Sequence, residues 1–306
     1  MARILIGTCN WADHSAFYPP DYEVTRNKPK KIAYYADHFP IVEVDSTFYS
    51  LQPQRNFTLW SERTPPGFVF NVKAYGELTG HHRTEEKKVI TPSAETFEKF
   101  SYMIQPLRDT GKLGAVHFQF PPWFTHGEGS LEYLGTVREF FPQDTVAVEF
   151  RHKSWLDPRN TDSTLGTLRD HNLAYVMVDE PQIGSGSVPP LVAVTSKDLA
   201  IVRFHGRNTK AWYIKGAASS MDRFDYLYQP QELAEWVPRV EEVVSQVKEV
   251  HLLTNNNRAN YAVVNAYDLA RLLDLPLKQP PPPPVLDTML ERDARERADK
   301  ERDPQS

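Results

Sequence analysis

Charged and imidazole side chains occupy alternate positions in several short segments that are otherwise apolar and β-branched. Glu43 and Asp45 alternate with valines in one segment, and Arg203 and His205 alternate with apolar residues in another. Buried parallel strands normally read as continuous apolar runs, so polar residues at every second position need an explanation. Because successive side chains of a strand point to opposite faces, these polar residues share one face and leave the other to pack against helices.

The same alternation recurs along the chain and gathers carboxylates, cations, imidazoles and amides on one predicted face. Its members are Glu43, Asp45, Asn71, Lys73, His117, Gln119, Glu149, Arg151, Asp179, Arg203 and His205, with Asn255 ending the last segment and His152 and Arg207 in nearby loops. Buried charges must be paired, hydrogen-bonded or shifted in pKa, so this cluster is costly. One hypothesis is a structural ion-pair network without catalysis, with Glu43–Lys73 and Glu149–Arg203 pairs.

The leading hypothesis is an enzyme that binds a small anionic metabolite, which could be phosphorylated. Guanidinium groups bind phosphate or carboxylate in bidentate fashion, and a lysine adds a point charge. The residues predicted to hold the anion are Arg151, Arg203, Arg207 and Lys73. Imidazole titrates near neutrality and a buried carboxylate can be tuned upward, so either His205 or Glu149 could act as general base. The predicted catalytic residues are Glu149, His205, Lys73 and Asp179, for isomerase, lyase or hydrolase chemistry.

Two other chemistries have less support. A divalent metal could be held by carboxylates and an imidazole, namely Glu43, Glu149, Asp179 and His205. The interspersed cations would compete for these carboxylates, and no HxxxH or HxH spacing is present. Lys73 could instead form a Schiff base with a carbonyl substrate. We therefore predict neither a cofactor nor a metal.

Aromatic residues crowd the segments that follow the predicted strands. The remaining residues predicted to bind substrate are Trp11, Tyr49, Trp155, Trp212, His152, Glu43, Asp45, Gln119 and Asn255. Such rings could also stack the bases of a nucleotide or a single-stranded nucleic acid, and metal-dependent phosphodiesterase activity would fit that alternative. The net charge of −5 provides no global positive field, so a nucleic-acid partner is not favoured.

The chemistry-bearing residues lie in eight strand-like segments separated by amphipathic helical segments. Strands are predicted at 3–8, 41–46, 68–74, 113–120, 146–152, 174–180, 199–206 and 250–256. Helices are predicted at 29–38, 54–63, 93–109, 131–141, 162–171, 231–247 and 262–273, whereas the connection between the sixth and seventh strands lacks a helical pattern. This alternation predicts one α/β domain over residues 1–275, a TIM-like (β/α)8 barrel with its site at the carboxyl ends of the strands.

The composition changes abruptly after Leu275. Residues 276–306 begin with a proline run and continue with mixed charge, which predicts an extended spacer followed by a disordered or isolated helical tail that takes no part in the chemistry. The first residues lack a signal-peptide core, and no apolar stretch approaches membrane-spanning length, so we expect a soluble, cytoplasmic protein. The single cysteine, Cys9, excludes an internal disulfide and a multi-cysteine zinc site.

An ordered series of motifs resembles the YecE-like family, a domain family of unknown function. The motifs include GTCNW (7–11), VEVDSTFY (42–49), FNVKA (70–74), FQFPP (118–122), AVEFRHKSW (147–155), VRFHGR (202–207) and NN (255–256). The resemblance spans residues 3–275 and implies a β/α barrel of TIM type, without assigning a reaction. In the first motif Cys9 and Asn10 depart from the family's usual GTSGW, which implies altered substrate contacts in that loop.

Overall fold

The eight predicted strands form a closed parallel barrel in the computed structural model, which describes residues 2–19, 28–210, 212 and 223–302. Neighbouring strands follow the chain order, and β1 closes the barrel by pairing with β8. The strands are β1 Arg3–Cys9, β2 Ile41–Val44, β3 Val69–Lys73, β4 Leu113–Gln119, β5 Val146–Glu149, β6 Leu173–Asp179, β7 Leu199–Phe204 and β8 Glu249–Thr254. The predicted TIM-like barrel is thereby confirmed.

The first two strands approach each other so closely that a side chain cannot fit between them. Gly7 of β1 lies opposite Ile41 of β2 in the parallel register. A Cβ atom added to Gly7 would lie 2.0 Å from the carbonyl oxygen of Ile41, well inside any allowed contact. The glycine therefore sets the spacing at which the strand carrying Cys9 meets the strand carrying Glu43.

Helices surround the barrel at the predicted places. The described ones are α1 Lys28–His38, α2 Gln54–Glu62, α3 Ala94–Met103, α4 Gln105–Asp109, α5 Glu128–Phe140, α6 Thr161–Asp170, α7 Pro230–Ala234, α8 Val237–Val244, α9 Tyr261–Leu272 and α10 Pro283–Arg302. Two segments predicted as single helices are each divided, and a proline stands in the first turn of the second part of each, Pro106 in α4 and Pro238 in α8. Proline fits a first turn but not a helix interior, which explains both divisions.

The connection between β6 and β7 contains no helix over residues 180–198, all of which the structure describes, and this confirms the prediction. Thr195 attaches the connection to β6. Its hydroxyl accepts from the backbone N–H of Tyr175 at 2.8 Å and donates to the carbonyl of Leu173 at 2.6 Å. The absence of a covering helix here leaves the connection free to contribute backbone groups near the carboxyl end of β6.

The carboxyl-terminal helix α10 packs on the barrel, so the expectation of a disordered or isolated helical tail is wrong. Val285, Met289 and Arg292 form a stripe with spacings of four and three residues, and all three are buried. Arg292 forms an ion pair with Asp268 of α9, which is itself fully buried. The composition of the tail does not reveal this stripe, because three buried positions change the average of a highly charged segment very little.

Across the part of the chain that the structure describes, no helix is both long enough and apolar enough to cross a bilayer.

Candidate active site

A layer of buried ion pairs fills the barrel close to the carboxyl ends of its strands. Arg203 of β7 lies at the centre and is fully buried. Its guanidinium donates to Glu149 at 2.6 Å and to Glu43 at 2.5 Å, and it lies 3.3 Å from the sulfur of Cys9. The predicted Glu149–Arg203 pair is therefore present, whereas Glu43 pairs with Arg203 and not, as predicted, with Lys73. One side chain thus links β1, β2, β5 and β7.

His117 of β4 completes the central layer. Its Nδ1 lies 2.9 Å from Glu43 Oε2, and its Nε2 lies 3.3 Å from Glu149 Oε2. Burial is the largest single influence on Glu43 and opposes its ionisation, but the charge of Arg203 and the contributions of His117 and Lys73 together hold the pKa of this carboxyl below its ordinary value. Burial is likewise outweighed at Glu149, where Arg151 and Arg203 hold the pKa well below the usual range. Both carboxylates are therefore ionised, and each forms ion pairs within the layer.

Arg151 connects the central layer to the β6–β7 connection. Its Nε lies 2.6 Å from Glu149 Oε1, and its Nη1 donates to Glu180 Oε2 at 2.6 Å. Glu180 also accepts the backbone N–H of Val188 at 2.8 Å, so its position depends on the connection that lacks a helix. Burial raises the pKa of Glu180 to about 7, although the charge of Arg151 acts in the opposite direction. Glu180 is not among the residues predicted from the sequence, since it directly follows Asp179 and lies on the opposite face of the alternating pattern.

His205 lies above Arg203 and is fully buried. Its Nε2 is 2.9 Å from Arg151 Nη2 and 3.2 Å from Glu149 Oε1, and its Nδ1 is 2.8 Å from the side-chain nitrogen of Asn255. Burial, followed by the charge of Arg151, lowers the pKa of His205 to about 3. The imidazole is consequently neutral at physiological pH and has polar partners at both ring nitrogens.

A cavity of about 450 Å³ opens above this layer at the carboxyl ends of the strands. Six of the residues predicted from the sequence line it, namely Trp11, Asp45, Tyr49, Lys73, Gln119 and Asn255. The lining residues absent from the predicted set are Asn10, Ala12, Asp13, Ser46, Phe48, His81, Arg223, Phe224 and Asn257. Most of these residues directly follow strands. They could have been predicted from the general rule that active sites of this fold lie at the carboxyl ends of the strands.

Asp45 and Lys73 lie side by side in the lining, after β2 and at the end of β3. Lys73 Nζ is 3.4 Å from Asp45 Oδ1 and 4.9 Å from the centre of the Phe48 ring. Asp45 Oδ1 is buried and has no hydrogen-bond partner among the described residues. Burial raises the pKa of Asp45 above its ordinary value, and the nearby carboxylate of Glu43 adds to the effect, while Lys73 opposes it.

His81 contributes a neutral ring to the same cavity. It lies in the segment after β3, and its ring meets the Phe48 ring edge to face at 4.7 Å between centroids. Burial lowers the pKa of His81 to about 3, and the neighbouring charges of Lys73 and Arg151 add to the effect. His81 therefore presents an uncharged ring to the cavity near neutral pH.

Asp179 and Arg207 do not lie with the central layer. Asp179 pairs in register with Phe204, whose ring packs against Trp236, so Asp179 points toward the helices and the predicted inward orientation is wrong. Its carboxylate accepts from Trp236 and Tyr228, each at 2.7 Å, and forms a two-point pair with Arg207 at 2.9 and 2.7 Å. Valines occupy the interior face of β6, and the aspartate of this strand therefore lies on its outer face.

The other predicted residues lie beside the cavity or away from it. Trp155 is fully buried, stacks on Phe150 at 4.0 Å and donates to a backbone carbonyl, which are core contacts. His152 accepts the backbone N–H of Ser154 and thereby caps a short 3-10 helix. Trp212 lies over the buried layer, with its ring centre 5.7 Å from the Arg151 guanidinium.

The acidic residues of the central layer do not fit a metal ion. Cys9, Glu43 and Asp45 bring one ligand atom each to within 4.8 Å of one another. The Arg203 guanidinium, however, already contacts both the sulfur and the Glu43 carboxylate. Burial also raises the pKa of the Cys9 thiol well above its usual value, which disfavours the thiolate that a metal requires.

The chain matches the family described as "Protein of unknown function DUF72" over residues 5–287. It belongs to this family. The UPF0759 protein YunF of Bacillus subtilis (strain 168) is 38% identical over 274 residues, covering 89% of this chain and 95% of that protein. The family membership extends past residue 275 and so includes the start of α10.

Solved structures of the DUF72 family share the fold. A DUF72 family protein of Enterococcus faecalis V583 superposes with a TM-score of 0.79 at 29% identity, covering 90% of this chain and 98% of that one. A DUF72 family protein of Thermotoga maritima MSB8 gives a TM-score of 0.74 at 32% identity, covering 89% and 99%. This chain thus shares its fold with both of these DUF72 family proteins.

Proposed function

We propose that this DUF72 protein is an enzyme that binds a small anionic metabolite in the cavity at the carboxyl ends of its strands and moves a proton on it. The observation that carries the proposal is the Asp45–Lys73 pair in the cavity lining, with nitrogen and oxygen 3.4 Å apart. A carboxylate whose pKa is raised by burial is suited to act as general base, and an adjacent ammonium can stabilise the negative charge that develops.

The ammonium of Lys73 is available to a ligand. Its side chain is 13% exposed, and it makes no side-chain hydrogen bond to any described residue beyond its ion pair with Asp45. Arg223 provides a second cation in the same lining. An anionic group bound between them would gain charge-assisted hydrogen bonds, which are about twice as strong as neutral ones.

The buried arginines have a different role in this proposal. Arg203 is fully buried and Arg151 is 8% exposed, and carboxylates beneath the cavity accept from both terminal nitrogens of Arg203 and from Nη1 of Arg151. Glu149 and His205 are equally enclosed. In this proposal the layer holds the strands and the Gln119 side chain in fixed positions. Asp45 acts as the base, and Lys73 binds the anion.

The proposal is tested first by ligand-dependent thermal stabilisation. Purified protein is screened against sugar phosphates, carboxylates, nucleotides, single-stranded oligonucleotides and divalent metals, because a ligand at a hundred times its Kd adds about 2.7 kcal/mol. We expect stabilisation by small anions in the native protein and in the Lys99→Met control, whose lysine lies on the exposed face of α3. The same ligands should have no effect on Lys73→Met. Stabilisation by oligonucleotides alone would support the nucleic-acid alternative.

Proton transfer is tested on whichever anion the screen identifies. The ligand is incubated with enzyme in deuterium oxide, and incorporation of deuterium at carbon is followed by NMR. We expect exchange with the native enzyme and none with Asp45→Asn, while binding persists. Exchange that continues in Asp45→Asn at the native rate would exclude Asp45 as the base.

A further inference from the structure

We infer that the ligand of this cavity carries several hydroxyl groups in addition to its anionic group, as a sugar acid or a sugar phosphate does; this inference rests on the proposed function. The lining presents hydrogen-bond donors and acceptors whose directions are fixed by the buried layer beneath. Together these groups suit a ligand that both donates and accepts hydrogen bonds.

Gln119 is a donor toward the cavity. Its side-chain oxygen faces Nη1 of Arg203 at 3.2 Å and Nη2 of Arg151 at 3.5 Å. A guanidinium can only donate, so the oxygen of the amide must face the arginines. The NH2 group is then turned away from them, in a residue that lines the cavity, and it has no hydrogen-bond partner among the described residues.

Asn257 is an acceptor in the same lining. Its side-chain nitrogen donates to the backbone carbonyl of Cys9 at 3.0 Å, which fixes the orientation of the amide. Its Oδ1 is buried and finds no hydrogen-bond partner in the described part of the chain, although the residue is only 7% exposed. An unpaired buried acceptor costs about 1–3 kcal/mol, and a donor from a bound ligand would offset that cost.

Together with the Asp45–Lys73 pair, these amides give two donors and two acceptors around one cavity. A hydroxyl group satisfies either kind with a single atom, whereas a fully ionised phosphate monoester or an alkyl carboxylate offers acceptors alone. The rings of Trp11, Phe48 and Phe224 supply apolar walls for the carbon skeleton. At about 450 Å³ the cavity has room for about 15 water molecules, which suits one small hydroxylated molecule.

The test compares anions that differ in their hydroxyl groups. Calorimetric titration measures the Kd of D-gluconate against hexanoate, and of ribose 5-phosphate against methyl phosphate. We expect at least one hydroxylated member to bind about tenfold or more tightly than its partner, since one hydrogen bond to a charged group is worth roughly that factor. The pair that shows the ratio distinguishes a sugar acid from a sugar phosphate.

Gln119→Glu tests the origin of that ratio. The change keeps acceptors toward the two arginines and removes the NH2 donor, and its added charge affects both members of a carboxylate pair alike. We expect the ratio to fall below about threefold in this variant. It should persist in Gln246→Glu, which adds the same charge at an exposed position far along the chain. Asn257→Ala removes the acceptor independently of Gln119. The ratio of the two Kd values should fall in this variant as well.

The outcomes separate this inference from the proposed function. Equal affinities within both pairs, or no binding by either hydroxylated probe, would overturn the hydroxyl inference; in the first case the anion site would stand. A neutral polyol such as sorbitol that binds as tightly as gluconate would support the hydroxyl inference and contradict the anionic part of the proposed function.

Discussion

Replacing Arg203 with methionine should destabilise the protein strongly, because it leaves two buried carboxylates without their shared cation. Arg203 donates to Glu43 and Glu149 at 2.5 and 2.6 Å, and neither carboxylate is exposed to solvent. Glu149 keeps the cation of Arg151, whereas Glu43 keeps His117, whose Nδ1 lies 2.9 Å from it. Breaking a buried pair from one side typically costs about 3–5 kcal/mol, which is a large part of the stability of an ordinary domain.

The loss should depend on pH in a defined direction. In the native protein the folded-state pKa of Glu43 lies below its unfolded value, so its stabilising contribution is present above the unfolded pKa and is lost as the pH falls through the folded one. Without Arg203, burial dominates and raises that pKa. The variant then loses stability as the pH rises. The difference between the two proteins should therefore be largest at pH 7 and smaller at pH 5.

Urea unfolding of native protein and Arg203→Met at pH 7 and pH 5 measures this difference. Arg3→Met is the matched control, since Arg3 pairs with Glu249 at the opposite end of the barrel, where the two side chains are 48% and 32% exposed. Exposed pairs contribute about 0–1 kcal/mol. A loss of less than about 1 kcal/mol in Arg203→Met, or one that grows as the pH falls from 7 to 5, would refute the description of this layer as a buried network that depends on its cation.

Three further changes test other parts of the fold. Asp179→Asn should lower the free energy of unfolding by about 1–3 kcal/mol in urea titrations. The Kd of any cavity ligand should stay unchanged, since the partners of Asp179 lie on the helix side of β6. A change in Kd of about tenfold would show instead that Asp179 belongs to the site. Arg292→Ala should lower the free energy of unfolding by about 3 kcal/mol and speed proteolysis between residues 276 and 282, because it leaves buried Asp268 without its main cation. Unchanged cleavage would show that apolar contacts alone hold α10 in place. Gly7→Ala should prevent soluble expression or lower Tm severely, as its Cβ would overlap the carbonyl of Ile41; a Tm within 2 °C of the native value would contradict the strand spacing described here.

The alternation of polar and apolar residues predicted most of the barrel interior. Glu43, His117, Gln119, Glu149 and Arg203 all point inward, because a strand has only two faces and the apolar one must meet the helices. The predicted inward face is wrong for β6, where both faces are largely apolar. A single aspartate there gave no information about which face was interior.

Sequence patterns could not distinguish side chains that line the cavity from those that lie beneath it. Arg203 and Lys73 occupy equivalent positions in their patterns, but Arg203 is fully buried between two carboxylates and Lys73 faces the cavity. That difference arises from how far each strand extends and from which partners lie across the barrel. The periodicity of a single segment gives no information about strand length or about partners across the barrel. The packed tail was missed for a related reason, since its contact with α9 depends on a partner outside the segment.

The order in which the strands pair also has a consequence for synthesis on the ribosome. Because β1 pairs with both β2 and β8, one of its edges has no partner until residues 249–254 have emerged. Arg3 and Glu249 are 246 residues apart, which is about 12–50 s of translation at ordinary rates. During that interval the nascent chain carries an open strand edge of the kind that recruits other chains. Expression at low temperature or with chaperones should therefore raise the soluble yield more than changes at the surface of the finished barrel.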